Sequence, residues 1–331
     1  MSSQTSKANF QISVLGNIPI IKTPKRLTVL EASAFKENCD QLLNENSVTE
    51  KIIFDCQETE FMDSSGIGAL IHNLKATKEK NVELILENVN SQLMSVFSIT
   101  GLDQILKIEI KEKQNSTVKE KNNQNLLETH PSVRSWIKRL IDIIGSLVGL
   151  GITAILFIPI TVAIKIDSPG PIFFSQTRCG WMGKKFRLWK FRSMCNNAEA
   201  LKNQVKNEAN GAIFKNQNDF RVTKVGRFLR RTSLDELPQF WNVLKGEMSL
   251  VGTRPPTPDE VETYEIPQWQ RLNVKPGMTG EWQVNGRSQV KDFEDVIKLD
   301  LRYQENWNLF YDIKLILKTI LILFNKNSGA V

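Results

Sequence analysis

Two adjacent carboxylates, Asp235 and Glu236, stand between the arginine pair Arg230 and Arg231 and a further arginine, Arg254. Neighbouring carboxylates repel, and keeping them together needs a cation, a metal or a shared proton. Guanidinium forks match phosphate oxygens, so arginines around an acid pair suit a phosphate-bearing substrate bridged by a divalent cation. The plain alternative is a charged helix start, with Ser233 as its cap and both acids favoured by the helix dipole. Beyond the acids, Val251-Gly252-Thr253-Arg254-Pro255-Pro256 predicts a rigid loop. Only two histidines exist, His72 and His130, which excludes a histidine-ligated zinc site or a histidine base in the second half.

Several elements must hold these groups in place. Residues 172–176 read as a strand, 178–185 as a basic hairpin turn, and 186–194 as a second strand. In that second strand apolar residues alternate with Arg187, Lys190 and Arg192, which predicts one buried and one cationic face. Such a face can stack bases on Trp189, cradle a nucleotide diphosphate or lie against headgroups. A helical pattern covers 198–206, and residues 220–229 lead into the acid pair. Residues 276–288 form a glycine-rich turn closing on Arg287, with an ordinary hairpin loop as the plain alternative. Helices are expected over 293–303 and 307–324, the last with one strongly apolar face suited to a membrane interface.

Residues 140–166 are the long apolar run of the chain, interrupted by Asp142 and Pro159. As helix this run would reach about 40 Å, against a hydrocarbon core of about 30 Å. Both flanks are basic: Arg134, Lys138 and Arg139 before, Lys165, Arg178, Lys184 and Lys185 after. The positive-inside rule then keeps both ends on the cytoplasmic face. Pro159 offers a break, so the expectation is a re-entrant helix–break–helix hairpin over 136–166 that dips into one leaflet. A spanning helix kinked at Pro159 is the alternative.

Composition divides the chain. The 331 residues carry a net charge of +7, but residues 1–130 hold 14 Lys/Arg against 17 Asp/Glu, and residues 131–331 hold 29 against 19. The basic half suits anionic lipid or nucleotide. Cys39, Cys56, Cys179 and Cys195 show no CxxC spacing and read as reduced, cytosolic thiols. Residues 1–10 are polar, so no signal peptide is expected there. Residues 111–130 are polar and charged, with little to bury, and read as a linker.

Before that linker, strands and helices alternate. Residues 10–15 and 18–21 read as strands about a Gly16-Asn17 turn, 30–43 as an amphipathic helix and 51–54 as a buried strand. Residues 70–77 continue as helix, 82–86 as strand and 91–100 as helix, and 105–110 close the run. This is the pattern of a small α/β layer fold. Asp63-Ser64-Ser65-Gly66 sits at a strand-to-helix junction, where a phosphate would meet helix amides; simple capping is the alternative. With its flanking strand and helix, residues 61–70 resemble the signature of the STAS domain, the fold of sulfate-transporter tails and anti-sigma-factor antagonists. The resemblance covers about residues 8–112 and implies a regulatory or docking module without catalysis. It places the family's phosphorylated serine at Ser65, and a STAS-binding regulatory protein or kinase among the partners.

The second half resembles the bacterial sugar transferases, the monotopic polyprenyl-phosphate phosphoglycosyl transferases, from residue 134 to 325. The motifs that carry this are Lys190-Phe191-Arg192-Ser193-Met194, residues 229–251, Gly252 through Pro255, and 275–287. What the resemblance implies is an α/β membrane-associated enzyme in residues 131–331, behind a STAS-like domain (1–112) and a linker (113–130). Its expected reaction moves a sugar 1-phosphate from a UDP-sugar to polyprenyl (undecaprenyl) phosphate, releasing UMP and requiring Mg2+. Asp235 falls on the nucleophile that forms a covalent phosphosugar intermediate close to the metal, and Glu236 on its partner acid. Arg230 and Arg254 fall on phosphate-contacting arginines, with Pro255, Lys190, Arg192 and Arg287 in the substrate-binding motifs. Asp300 and Asp312 fall on further acidic positions. Two departures stand out: Ile158 precedes Pro159 where serine is common, and Thr253 replaces a common proline.

The expected location is the inner membrane, with both domains facing the cytoplasm. Nucleic-acid binding fails to explain the apolar run, so no nucleic-acid partner is expected. A catalytically silent membrane-tethered scaffold is the rival reading, and it has no need of the Asp235–Glu236 pair. Self-association through either domain is compatible with the sequence.

Overall fold

The computed structural model describes residues 10–45, 50–109, 129–208, 210–211, 216, 218–285, 290 and 292–324. The linker assigned to 113–130 therefore lies outside the described residues, except Thr129 and His130. The chain divides into two compact units. The first contains residues 1–129 together with two pieces of the later chain, Met182–Lys184 and Glu265–Asn273, and the second contains the remainder.

In the first unit the strands are β1 (Ile12–Leu15), β2 (Ile18–Lys22), β3 (Arg26–Leu27), β4 (Lys51–Asp55), β5 (Phe61–Met62), β6 (Glu83–Glu87) and β7 (Lys107–Glu109). The helices are α1 (Val29–Asn44), α2 (Ser64–Glu79) and α3 (Ser91–Thr100). Five strands form one sheet in the order β1-β2-β4-β6-β7, antiparallel at the β1–β2 hairpin and parallel elsewhere. Each parallel pair is joined through one of the helices, as parallel strands require. Ile52, Ile53 and Phe54 are all buried, the continuous apolar run of a strand covered on both faces. The helices agree with the sequence reading to within a residue or two, and α2 begins at Ser64, within the strand-to-helix junction expected at Asp63–Gly66.

The second unit begins with α4 (Pro131–Arg134) and α5 (Trp136–Asp167), followed by the antiparallel hairpin β8 (Phe173–Cys179) and β9 (Lys185–Phe191). Next come α6 (Lys224–Arg231), α7 (Gln239–Lys245), β10 (Ser249–Val251) and α8 (Pro258–Glu262). The unit closes with β11 (Gly277–Thr279), α9 (Glu281–Asn285), α10 (Phe293–Glu305) and α11 (Leu309–Phe324). Strands β10 and β11 pair in parallel.

By length and composition α5 could cross a membrane, yet it is one helix of 32 residues with Pro159 inside it, so the expected turn back at Pro159 is absent. The packing gives a reason. Leu156, Phe157, Ile160 and Ile164, on both sides of the proline, share one cluster with Phe191 and Leu229. That shared seat supports the helix through its missing hydrogen bond.

One stripe of α5 is packed from end to end. Near its start Arg139 donates to Val243 O (2.7 Å) and Leu244 O (2.6 Å), the carbonyls that end α7. Asp142 Oδ1 accepts from Ser249 Oγ (2.9 Å) and Leu250 N (2.8 Å). At Gly149 an added Cβ would lie 2.4 Å from the Phe240 ring, so α7 approaches there only because the side chain is missing. At the far end, Asp167 Oδ2 accepts from Val225 N (2.9 Å) in the first turn of α6. The opposite stripe, including Ile144, Leu147, Ile155 and Ile158, is exposed. The outer face of α11 is similar, with Phe310, Leu317 and Leu321 exposed.

Two local expectations are corrected. Residues 198–206 form no α-helix, only a short turn at Lys202–Gln204. The glycine-rich stretch 276–288 contains β11 and α9 rather than a single hairpin turn, and its basic end, Arg287, lies outside the described residues.

Candidate active site

Helix α6 leads into the acid pair. Thr223 caps it by accepting from Gly226 N (3.0 Å), and Gly226 lets it pass directly over Ser193, whose carbonyl oxygen an added Cβ would meet at 1.9 Å. At its end Ser233 adopts the left-handed conformation, φ +54°, uncommon for a residue with a side chain. This reverses the chain into a tight turn, Leu234–Glu236, that carries both acids. Ser233 makes no side-chain cap, so the acids do not sit at an ordinary capped helix start. Leu234 and Leu237 pack into the cluster around Phe191 and Leu229, which fixes the turn between them.

Within this turn Asp235 is only 5% exposed, while Glu236 pairs with Lys190, Oε1 to Nζ 2.8 Å. Lys190 faces the acids because β9 has two buried faces near its end. Phe186 and Leu188 pack on Val243 and Met248, on the side that Lys190 shares, whereas Phe191 packs on Leu229. Asn242 of α7 fixes the register: its Oδ1 accepts from Trp189 N (3.2 Å), and its Nδ2 donates to Arg187 O (2.7 Å).

Arg230 donates from Nε to Ser193 Oγ (2.9 Å). Burial pushes its guanidinium below the ordinary value, while the charges of Asp235 and Asp219 pull it back up. Asp219 is itself gripped by Arg221, Nη2 to Oδ2 2.7 Å and Nε to Oδ1 2.9 Å. Those bonds hold the Asp219 carboxyl below the usual carboxylate range. The structure thus gathers Lys190, Arg230, Asp235 and Glu236 into one charged group, backed by Ser193, Asp219 and Arg221. The sequence reading passed over Asp219, Arg221 and Asn242. An Asp-x-Arg pair and a lone asparagine are everyday surface signals, and only their burial distinguishes them.

Other expected site residues make further contacts. Arg254 clamps Glu260 with both terminal nitrogens, 2.7 and 3.0 Å. Arg178 joins them, donating to Pro255 O (2.8 Å), its own pKa pushed down to about 10 by burial and then by Arg254. Arg192, on a buried strand end rather than a cationic face, donates to Ser168 O (2.6 Å) and Pro169 O (2.9 Å) and holds the turn after α5. Asp300 is buried on α10 beside Val296, Ile297 and Tyr303. Asp312 accepts from Lys138 Nζ (2.6 Å), Tyr303 OH (2.8 Å) and Trp307 Nε1 (3.1 Å).

In the first unit, Asp63 Oδ1 accepts from Ser65 N (2.8 Å) and Gly66 N (3.0 Å), so the amides expected to meet a phosphate already hold a carboxylate. Ser65 is fully buried, and its hydroxyl has no hydrogen-bond partner. Among the described residues no group of three or more His, Cys, Asp or Glu is placed to hold a metal ion.

The family model described as bacterial sugar transferase matches residues 133–326. The chain belongs to that family. A second model, the STAS domain, matches residues 9–115. Galactosyl transferase CpsE of Streptococcus agalactiae is 50% identical over 188 residues, 56% of this chain and 42% of that protein. The UDP-glucose:undecaprenyl-phosphate glucose-1-phosphate transferase of Escherichia coli K12 is 42% identical over 196 residues, 57% of this chain and 40% of that protein. The chain therefore spans about two fifths of the length of these relatives. An anti-sigma factor antagonist from Thermotoga maritima matches 31% of this chain and 86% of its own, at 27% identity and a TM-score of 0.28.

Proposed function

We propose that this chain transfers a sugar 1-phosphate from a UDP-sugar to a polyprenyl phosphate such as undecaprenyl phosphate, and so initiates assembly of a surface glycan. Family membership and the activity in the name of the Escherichia coli relative support the class. The observation that carries the chemistry is the turn Leu234–Glu236, where a buried carboxylate lies beside Arg230 and a second is braced by Lys190.

In this reading an Asp235 carboxylate oxygen attacks the phosphorus that bears the sugar. The bond from that phosphorus to the bridging oxygen breaks, and UMP leaves with the electron pair. A phosphate oxygen of the polyprenyl lipid then attacks the same phosphorus, breaking its bond to Asp235 and restoring the carboxylate. Arg230 neutralises phosphate charge as the nucleophile approaches. Lys190 keeps Glu236 in place beside it. Mg2+ fits a donor set of this kind, since it is usually held by one or two carboxylates and the substrate's own phosphates. Asp235 would hold it with Glu236 alongside, and once bound the ion would supply charge neutralisation.

The site belongs, in this proposal, on the cytoplasmic side of the inner membrane. Because α5 packs against its own unit from Arg139 to Ile164, its exposed stripe enters the membrane sideways, with the outer face of α11 as a second contact. Replacing Ile155 and Ile158, 78% and 71% exposed, with Glu lowers recovery on anionic vesicles at least tenfold, since each exposed aliphatic contributes about 1.5–3 kcal/mol. Unchanged cosedimentation would place the membrane contact elsewhere. The STAS-like unit is read as a regulatory module, with Ser65 as its modified residue; since Ser65 is fully buried, modification requires the start of α2 to open first.

The deciding experiment incubates detergent-solubilised protein with undecaprenyl phosphate, Mg2+ and a panel of UDP-sugars. One donor gives UMP release that depends on both the lipid and Asp235. A folded protein that releases UMP from no donor supports the silent scaffold.

A further inference from the structure

The first unit is completed by a piece of the transferase half, and that piece sits on the helix of the serine motif. The turn Ile266–Asn273 packs against α1 and α2. Ser64 Oγ lies 2.6 Å from both Trp269 O and Asn273 Oδ1, and Ser64 N donates to Asn273 Oδ1 (3.0 Å). The Trp269 indole occupies the space over Gly68. A Cβ at residue 68 would stand 2.6–2.7 Å from three of its ring atoms. Glycine inside a helix costs about 1 kcal/mol against alanine, so Gly68 has a packing reason to be there. Trp269 is buried, as is Arg271, and the added Cβ of Gly183, from the other inserted piece, would also touch the indole, at 3.3 Å.

We propose that the Ser64–Gly68 face of α2 is a binding surface for the chain's own 265–273 segment, and that this docking keeps the transferase active. The proposal rests on the regulatory reading of the STAS-like unit and names its route. On one side the segment continues from α8 and Tyr264, whose ring packs on Phe293. Glu260 of α8 is the partner of Arg254. On the other side the segment runs into Val274, packed with Val251 and Tyr303, and then into β11. Docking on α2 therefore pins the stretch between the Arg254 clamp and the β10–β11 pair. Undocking loosens both attachments, and transfer slows.

The test uses the full chain in a Cys195→Ser background, with Ser64→Cys and Asn273→Cys to trap the docked segment as a disulfide. The expected result is near-complete trapping under mild oxidation. Trapping is lost when Gly68→Leu or Trp269→Ala is added, either variant serving if the other fails to fold. Without the cysteine pair, Gly68→Leu and Trp269→Ala each lower UMP release about fivefold or more, the lower end of ordinary couplings between sites. Absence of the disulfide overturns the docking, and trapping with unchanged UMP release in both variants overturns the coupling. If the unsubstituted chain releases no UMP from any donor, the transferase reading fails instead, and the disulfide alone decides the docking.

Discussion

Replacing Asp235 with Asn lowers lipid-dependent UMP release by about a thousandfold or more, while folding and membrane recovery stay as they were. Removal of the nucleophile from a covalent route takes away both steps, and losses of this size are usual for such groups. The substitution preserves shape and removes only the charge and the attacking oxygen, so it separates chemistry from packing. Glu236→Gln has a similar direction by another cause. It leaves Lys190 without its carboxylate partner at 2.8 Å, and the cation is then free to compete for the phosphate or for Asp235. A fully active variant at either position would overturn the mechanism. Circular dichroism and vesicle cosedimentation check that each protein is intact.

The second large effect belongs to stability. Asp312→Leu leaves the Lys138 ammonium, on a side chain 7% exposed, without the carboxylate it touches at 2.6 Å. Trp307 loses this acceptor in the same event, and Tyr303 is left with Val251 O at 3.2 Å. Removing one partner of a buried ion pair costs about 3–5 kcal/mol, because the remaining charge stays buried and uncompensated. Denaturant unfolding in detergent reads this as a lower midpoint. Lys138→Met combined with Asp312→Leu recovers most of the loss, as an apolar replacement of a buried pair often does. If Asp312→Leu instead left the midpoint unchanged and lowered only the turnover rate, Asp312 would belong to the reaction and not to the frame.

Much of the scaffold was readable because it rests on local chemistry. The run Ile52-Ile53-Phe54 and the spacing of Ala32, Phe35, Cys39 and Leu43 declare a buried strand and an amphipathic helix without help from distant residues. The acid pair and Arg230 were also legible, since charges packed so densely in sequence need an explanation. What could not be read depends on contacts that only the folded chain makes. Pro159 is an ordinary helix breaker by sequence, and only the seat formed with Phe191 and Leu229 keeps α5 whole. Arg192 closes a turn and Arg254 grips Glu260, contacts that their place in a motif does not name. Arginine serves carboxylates, carbonyls and phosphates with the same fork, so its type alone does not name its partner.

The interrupted make-up of the first unit sets an order of events during synthesis. Its sheet is complete once Glu109 has left the ribosome, but Trp269 and Asn273 are still to be made. At about 5–20 residues per second, roughly ten to thirty seconds pass before they appear. Throughout that interval the glycine notch at Gly68 stands bare while the apolar α5 emerges behind it. The nascent chain thus carries two exposed apolar features at once, the notch to be covered by its own later residues and the outer stripe of α5 that stays exposed in the finished fold. The N-terminal unit receives its last side chains only after the whole of α5 has been made, while β11 and α9 to α11 are still to come.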